Sequence, residues 1–187
     1  MLNYNQALAE KKLFQDLQIE EIKPIMKLIL RGKKREFISA VGKSLNILLP
    51  SEANTSTQSD KLTALWLSPD EWMIFSNDPH NENTNNYKTE ELLKDRISKV
   101  NLGAVTDVSD QFVMIRLKGN KIFELFQTGS PFNFNDFQNK KGAVIQTILS
   151  KIDIIVHNHD KNTVNLFVRR SFSQHLFSWM KNAASRL

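Results

Sequence analysis

The chain contains no cysteine. That absence excludes a disulfide framework, thiolate metal sites and cysteine nucleophiles, and it fits a reducing compartment. Long apolar runs are missing as well. Stretches such as Ile47-Leu48-Leu49 and Ile154-Ile155-Val156 fall far short of the roughly 20 residues that span a bilayer. The first stretch, Met1 to Asp16, mixes Asn, Gln, Lys and Glu among its apolar residues and lacks the unbroken apolar run of a secretory signal. Glycine is scarce, 6 in 187 residues, and no glycine-rich phosphate loop occurs. A soluble cytoplasmic protein that does not enter the membrane is the expectation.

What is present fits a folded core. Hydrophobic residues make up 41% and charged residues 24%, so the chain has the balance of a globular protein rather than a disordered one. Its length suits one domain, or two small halves packed together. The net charge is +5. A polyanionic partner is one reading of that charge, but the basic groups Lys33-Lys34-Arg35, Lys140-Lys141 and Arg169-Arg170 are scattered. With Asn and Ile also abundant, compositional drift explains the lysines better, and no nucleic-acid partner is expected.

Residues 1–24 read as an N-terminal arm or helix, with Leu8, Leu13, Phe14 and Leu17 as a poor apolar stripe over 2–17. Residues 25–187 read as one globular domain with halves at about 25–100 and 104–187. In the first half, Ile25 to Leu30 is strand-like, and Phe37, Ile38, Val41 and Leu45 recur at helical spacing before Pro50. Pro50 to Lys61 reads as a loop. Leu62 to Leu67 and Trp72 to Phe75 form a hairpin around Ser68-Pro69-Asp70-Glu71, where Pro suits a type I turn. Asn77 to Asn86 is a polar loop. Thr89 then caps a helix with Leu92, Leu93, Ile97 and Val100 inside.

In the second half, Ala104 to Val108 and Phe112 to Leu117 are strands. Gly119-Asn120 opens a helix burying Ile122, Leu125 and Phe126, stopped by Gly129 and Pro131. Gly142 to Leu149, Ile152 to Val156 and Val164 to Val168 are strands, with His157 to Asn162 as a turn. A capping box of Ser171 and Gln174 starts the last helix, whose apolar stripe is Phe172, Leu176, Trp179, Met180 and Ala183. Strand-helix-strand-strand-helix thus occurs twice, and Gly32 and Gly119 open the two helices 87 residues apart. The fold class expected is α+β with antiparallel sheets in two pseudo-repeated halves.

Chemistry-bearing constellations are sparse. Asp70 and Glu71 lie beside Trp66 and Trp72, but neighbours in a turn seldom converge on one substrate atom, so a turn former and a surface ion pair are expected. His157-x-His159-Asp160 offers imidazole and carboxylate ligands, yet the surrounding Asn158, Lys161 and Asn162 suit a hairpin turn better, and no metal site is expected. His175 lies near Ser173 without an assignable acid, which does not support a hydrolase triad. Asp107 and Asp110 sit at a strand end, where carboxylates make local turns or meet a ligand or partner. Arg169 or Arg170 either braces the last helix or pairs with a carboxylate of another subunit. No catalytic residue is assigned.

Three segments resemble the gamma subunit of heterotetrameric sarcosine oxidase. They are Ala64-Leu65-Trp66-Leu67-Ser68-Pro69-Asp70-Glu71-Trp72, then Val105-Thr106-Asp107-Val108-Ser109-Asp110, then Val168-Arg169-Arg170-Ser171-Phe172 followed by Leu176 and Trp179. The spacers Gly129-Ser130-Pro131 and Gly142 with Gln146-Thr147 fit too, so the resemblance runs from about Ile25 to Ala184. It implies a complex that demethylates sarcosine oxidatively to glycine, passes the one-carbon unit to tetrahydrofolate or releases it as formaldehyde, and forms hydrogen peroxide. It further implies partner alpha, beta and delta subunits that carry FAD, FMN, NAD, zinc and tetrahydrofolate, and no cofactor in this chain. The family is similar in fold to the folate-binding domain of the glycine-cleavage T-protein. Ser130 and Asn133 stand where the gamma family often shows Cys and Asp. Lys151-Ile152-Asp153 offers one Asp where the T-protein strand carries two. The expectation is an accessory subunit whose contact residues are Trp66, Asp70, Glu71, Trp72, Arg169 and Arg170. The alternative is a free-standing folate-binding module using Asp107 or Asp153.

Overall fold

The computed structural model describes residues 6–8, 11–77 and 87–187. In chain order the elements begin with β1 (Lys12–Phe14), β2 (Leu17–Glu21), β3 (Lys27–Arg31), α1 (Arg35–Leu45), β4 (Ser56–Gln58), β5 (Leu62–Ser68) and β6 (Glu71–Ser76). There follow α2 (Tyr87–Leu93), a π-helical turn Lys94–Ser98, β7 (Ala104–Asp107), β8 (Phe112–Lys118) and α3 (Ile122–Gln127). A 3-10 turn Phe137–Asn139, β9 (Val144–Leu149), β10 (Ile152–Asp160), β11 (Thr163–Arg169) and α4 (Arg170–Ala184) complete the chain. Two compact units result, one from Ile25–Asp110 and one from Met1–Pro24 with Gln111–Leu187.

In the unit Ile25–Asp110 the strand order is β4-β5-β6-β3-β7, and every pairing is antiparallel. Period-two alternation puts Leu28 and Leu30 on one face with Ile74, Trp72 and Ala64. Phe37 and Val41 of α1, with Leu93 and Ile97, cover that face. Gly32 makes room for this packing, because a Cβ there would lie 2.4 Å from the Phe37 ring. The strand at 25–30 and the helix over 37–45 are as expected, as is the 62–75 hairpin.

In the other unit the order is β1-β2-β8-β11-β10-β9, again antiparallel throughout. Ile19, Ile115, Leu117, Leu166, Val168, Ile154 and Val156 share its core face with Leu125 and Phe126 of α3 and with Leu176 and Met180 of α4. The two units repeat one another: β3-α1-β4-β5-β6-α2 matches β8-α3-β9-β10-β11-α4, and the sheet orders β4-β5-β6-β3 and β9-β10-β11-β8 correspond. Each repeat carries three strands after its first helix: the second half's three fall where expected, whereas the first half gains β4 inside the presumed 50–61 loop. The flanking strands cross over. β2 precedes β3 in the chain yet pairs with β8, and β7 precedes β8 yet pairs with β3.

Several local expectations are corrected. Residues 12–21 form a hairpin rather than a helix; Asp16 turns it at φ 59°, and Leu17 and Ile19 alternate into the core. The remainder of the helix expected over 2–17, and the loop at 78–86, lie largely outside the described residues. Thr89 is no cap, since α2 already runs from Tyr87. The π-helical turn, closed by the Lys99 N–H on the Lys94 carbonyl at 2.9 Å, puts the helix out of phase. Ile97 stays buried while Val100 swings out to 55% exposure. β10 continues to Asp160, so His157 and Asn158 are buried strand residues rather than turn residues. The helix cap is Arg169 without a side-chain bond, and Ser171 lies inside α4. The helix leaves β11 with no linker, which turns its buried face to Ser173, Leu176, Phe177, Met180 and Ala184 and leaves Phe172 exposed.

Candidate functional site

The β5–β6 turn is where sequence expectation and geometry meet most closely. The Ser68 hydroxyl donates to an Asp70 carboxylate oxygen at 2.9 Å, the local bond that a tight turn needs. Arg31 lies 3.9 Å and Lys33 3.8 Å from that carboxylate, and Arg31 lies 3.8 Å from Glu71. The Ser68 hydroxyl chiefly, then Arg31 and Lys33, hold the Asp70 carboxyl below its ordinary range against desolvation. The Gly32 N–H donates to the Asp70 carbonyl at 3.0 Å, tying the turn to the start of α1. The arrangement is a turn former with a surface ion cluster.

The two tryptophans part company. Trp66 is half-buried on β5. Trp72, directly opposite it on β6, is 3% exposed. Its indole N–H donates to the Pro50 carbonyl at 2.9 Å, and its ring lies 5.9 Å from that of Phe37. Trp72 is therefore a core residue with almost no surface to offer a partner, which corrects its assignment as a contact residue.

Arg169 is exposed at the mouth of α4, and Arg170 is half-buried with its N–H donating to the Gln111 carbonyl at 2.8 Å. Asp107 is exposed, and its carboxylate accepts the Ser109 N–H at 2.8 Å, the turn role. Asp153 is exposed on β10. Asp107 and Asp153 belong to different units. Asp160 meets Lys141 at 3.6 Å. Among the described residues no cluster of three or more His, Asp or Glu side chains is placed to hold a metal ion.

A polar row went unread in the sequence. Across β8, β11 and β10, Arg116, Asn165 and His157 are direct neighbours in register. The Arg116 guanidinium donates to Asn165 at 2.9 Å, and the Asn165 amide lies 3.4 Å from the His157 ring. Desolvation first, then His159 and Arg116, push the His157 imidazole down to about 3. Desolvation also lowers Arg116 and His159. The signal was present as alternation: Asn165 and His157 fall on the strand face opposite Leu166 and Val156.

The segment 130–140 holds the positions where the family pattern departs. Phe123, Phe126, Phe132, Phe134 and Phe137 form one aromatic cluster. The Asn158 amide donates to the carbonyls of Phe137 at 2.8 Å and Lys140 at 2.9 Å. Ser130 lies 3.4 Å from the Thr147 hydroxyl and accepts the Phe132 N–H at 3.3 Å, while Asn133 accepts the Asn135 N–H at 3.0 Å. Both departing residues serve local loop bonds.

A family model described as "Sarcosine oxidase, gamma subunit family" matches residues 32–186. No curated protein sequence matches the chain. Among solved structures, a chain of the heterotetrameric sarcosine oxidase from Corynebacterium sp. U-96, in complex with pyrrole 2-carboxylate, is similar with a TM-score of 0.80 and 19% identity, over 91% of this chain and 84% of that one. The glycine cleavage system aminomethyltransferase T from Bartonella henselae is similar with a TM-score of 0.64 and 14% identity, over 88% of this chain and 45% of that one. At these identities the likeness is one of fold, and it bears out the α+β class with a T-protein-like domain. No helix among the described residues is long and apolar enough to cross a membrane.

Proposed function

Because the chain belongs to the sarcosine oxidase gamma subunit family, we propose that it is a non-catalytic accessory subunit of a heterotetrameric sarcosine oxidase. The observation that carries this reading is the family match across residues 32–186. The complex oxidises the N-methyl group of sarcosine, yields glycine, transfers the one-carbon unit to tetrahydrofolate and forms hydrogen peroxide. FAD, FMN, NAD, zinc and tetrahydrofolate are held by the alpha, beta and delta subunits in the cytoplasm, and this chain contributes surface. Its contact residues are Trp66, Asp70, Glu71, Arg169 and Arg170. All five keep side-chain surface at an element end or strand face, which favours contact over chemistry.

The free-standing folate-binding module is the weaker reading. Asp107 is engaged in its own turn, and Asp153 stands on an open strand, whereas a pteridine needs convergent polar groups in a concave, mostly apolar site. Co-expression of the tagged chain with the alpha, beta and delta subunits tests the proposal. Stoichiometric co-purification with flavin in the large subunits is expected. A chain that elutes alone while the other three assemble and turn over at full rate would overturn it.

A further inference from the structure

Helix α1 breaks two local rules on one face, and its own chain repays them only in part. Phe37 and Val41, both 0% exposed, face the sheet. At 100° per residue, Arg35, Ser39, Gly42 and Lys43 fall on the opposite side. A shallow open depression runs along Arg35, Glu36, Ser39, Ala40 and Lys43.

The first broken rule is glycine in a helix interior, which costs about 1 kcal/mol against alanine. Gly42 has no positive φ, and a Cβ there would meet only the Ile47 carbonyl oxygen at 3.5 Å, an ordinary contact. Its own chain does not need it to be glycine. The second is charge. Lys33, Lys34 and Arg35 crowd the N-terminal end of α1, where the helix dipole favours anions; Glu36 is the one acidic residue of the first turn, and Lys34 at the cap position makes no side-chain cap bond. Asp70 compensates Lys33 at 3.8 Å. Among the described residues, no carboxylate lies within ion-pair distance of Lys34, Arg35 or Lys43.

Sites where a sequence breaks local rules without full internal compensation are where function is expected. We propose that the outward face of α1 docks an acidic segment of a partner subunit. Its carboxylates meet Lys34, Arg35 and Lys43, and its backbone approaches closely over Gly42. The inference rests on the accessory-subunit reading. The outward face of α1 is continuous with the Asp70 turn, which is joined to the start of the helix through Gly32. A second copy of this chain is disfavoured as occupant, since a two-fold contact between antiparallel helices sets Arg35 against Lys43. A nucleic-acid backbone is disfavoured because its unbroken row of phosphates would run against the interspersed Glu36, Asp70 and Glu71, where a peptide segment can place neutral residues.

The test compares the wild-type chain with Lys34→Glu/Arg35→Glu and Gly42→Ala, each as the isolated chain and co-expressed with the alpha, beta and delta subunits. Gly42→Ala is expected to raise the Tm of the isolated chain by about 2–4 °C and yet weaken assembly about fivefold or more. The charge reversal is expected to leave Tm unchanged or higher and to weaken assembly roughly tenfold at low salt, an effect that fades as salt rises. Wild-type affinity in the charge-reversed chain overturns the proposal and leaves the accessory role standing, whereas failure of the wild-type chain to assemble overturns that role itself. If the charge-reversed chain does not fold, Gly42→Ala decides alone: wild-type affinity overturns the proposal, and gained stability with lost affinity upholds it. A wild-type homodimer broken by Gly42→Ala also overturns it.

Discussion

Trp72 lies directly across the β5–β6 ladder from Trp66, and its indole N–H is bonded to the Pro50 carbonyl at 2.9 Å. The bond fixes the chain after α1 against the sheet, so the pair divides labour between core and surface. Trp72→Phe removes one buried donor and leaves a void beside Phe37. A loss of about 2–3 kcal/mol is expected, read from urea unfolding of the isolated chain. Trp66→Phe is expected to cost less than half as much in the same assay.

His157 gives the chain a pH signature. Its folded-state value of about 3 lies well below the ordinary 6.5, so the folded state favours the neutral ring. The corresponding stability is fully present above about pH 6.5 and is lost as pH falls towards 3. Between pH 7 and 4.5, His157→Gln is expected to lose about 2 kcal/mol less than the wild-type chain. The check is paired denaturant titrations, and identical pH slopes would remove His157 from the account.

Asn158 holds the aromatic loop by donating to the Phe137 and Lys140 carbonyls. Asn158→Ala leaves these buried acceptors unpaired, at an expected cost of about 2–4 kcal/mol. Hydrogen exchange should quicken at residues 137–143 before the rest of the sheet responds. Asn158→Asp should be worse, because a carboxylate would face carbonyl oxygens.

Gly119 sits at φ 129°, and a Cβ there would come 2.0 Å from the Asp16 carbonyl oxygen. Gly119→Ala is expected to destabilise by about 2 kcal/mol or more, with the β1–β2 hairpin losing exchange protection first. Equal stability of the two chains, measured by thermal unfolding, would show that the hairpin yields to the added methyl.

The sequence was legible where one periodicity ran unbroken. α1 and the Trp-bearing hairpin fall where alternation and turn chemistry put them, and the repeat was visible in the order of elements. What failed were phases and boundaries set by contacts distant in sequence. The β1–β2 hairpin exists because β8 offers an edge; β10 runs through His157 and Asn158 because β9 and β11 pair with it on both sides. α4 turned its stripe because it follows β11 without a linker, and the π-helical turn displaced Val100. At the candidate site, Asp70 and Glu71 were readable as a turn with ion pairs. The burial of Trp72 was not, since a half-buried and a fully buried strand tryptophan look alike in sequence.

The central claim, that this chain works by fitting its surface against larger subunits, is tested most directly by native mass spectrometry of the tagged chain co-expressed with the alpha, beta and delta subunits. A single species containing one copy of each chain, with flavin, is the expected result. The chain appearing only as a free monomer beside an intact, flavin-loaded complex of the other three would contradict it.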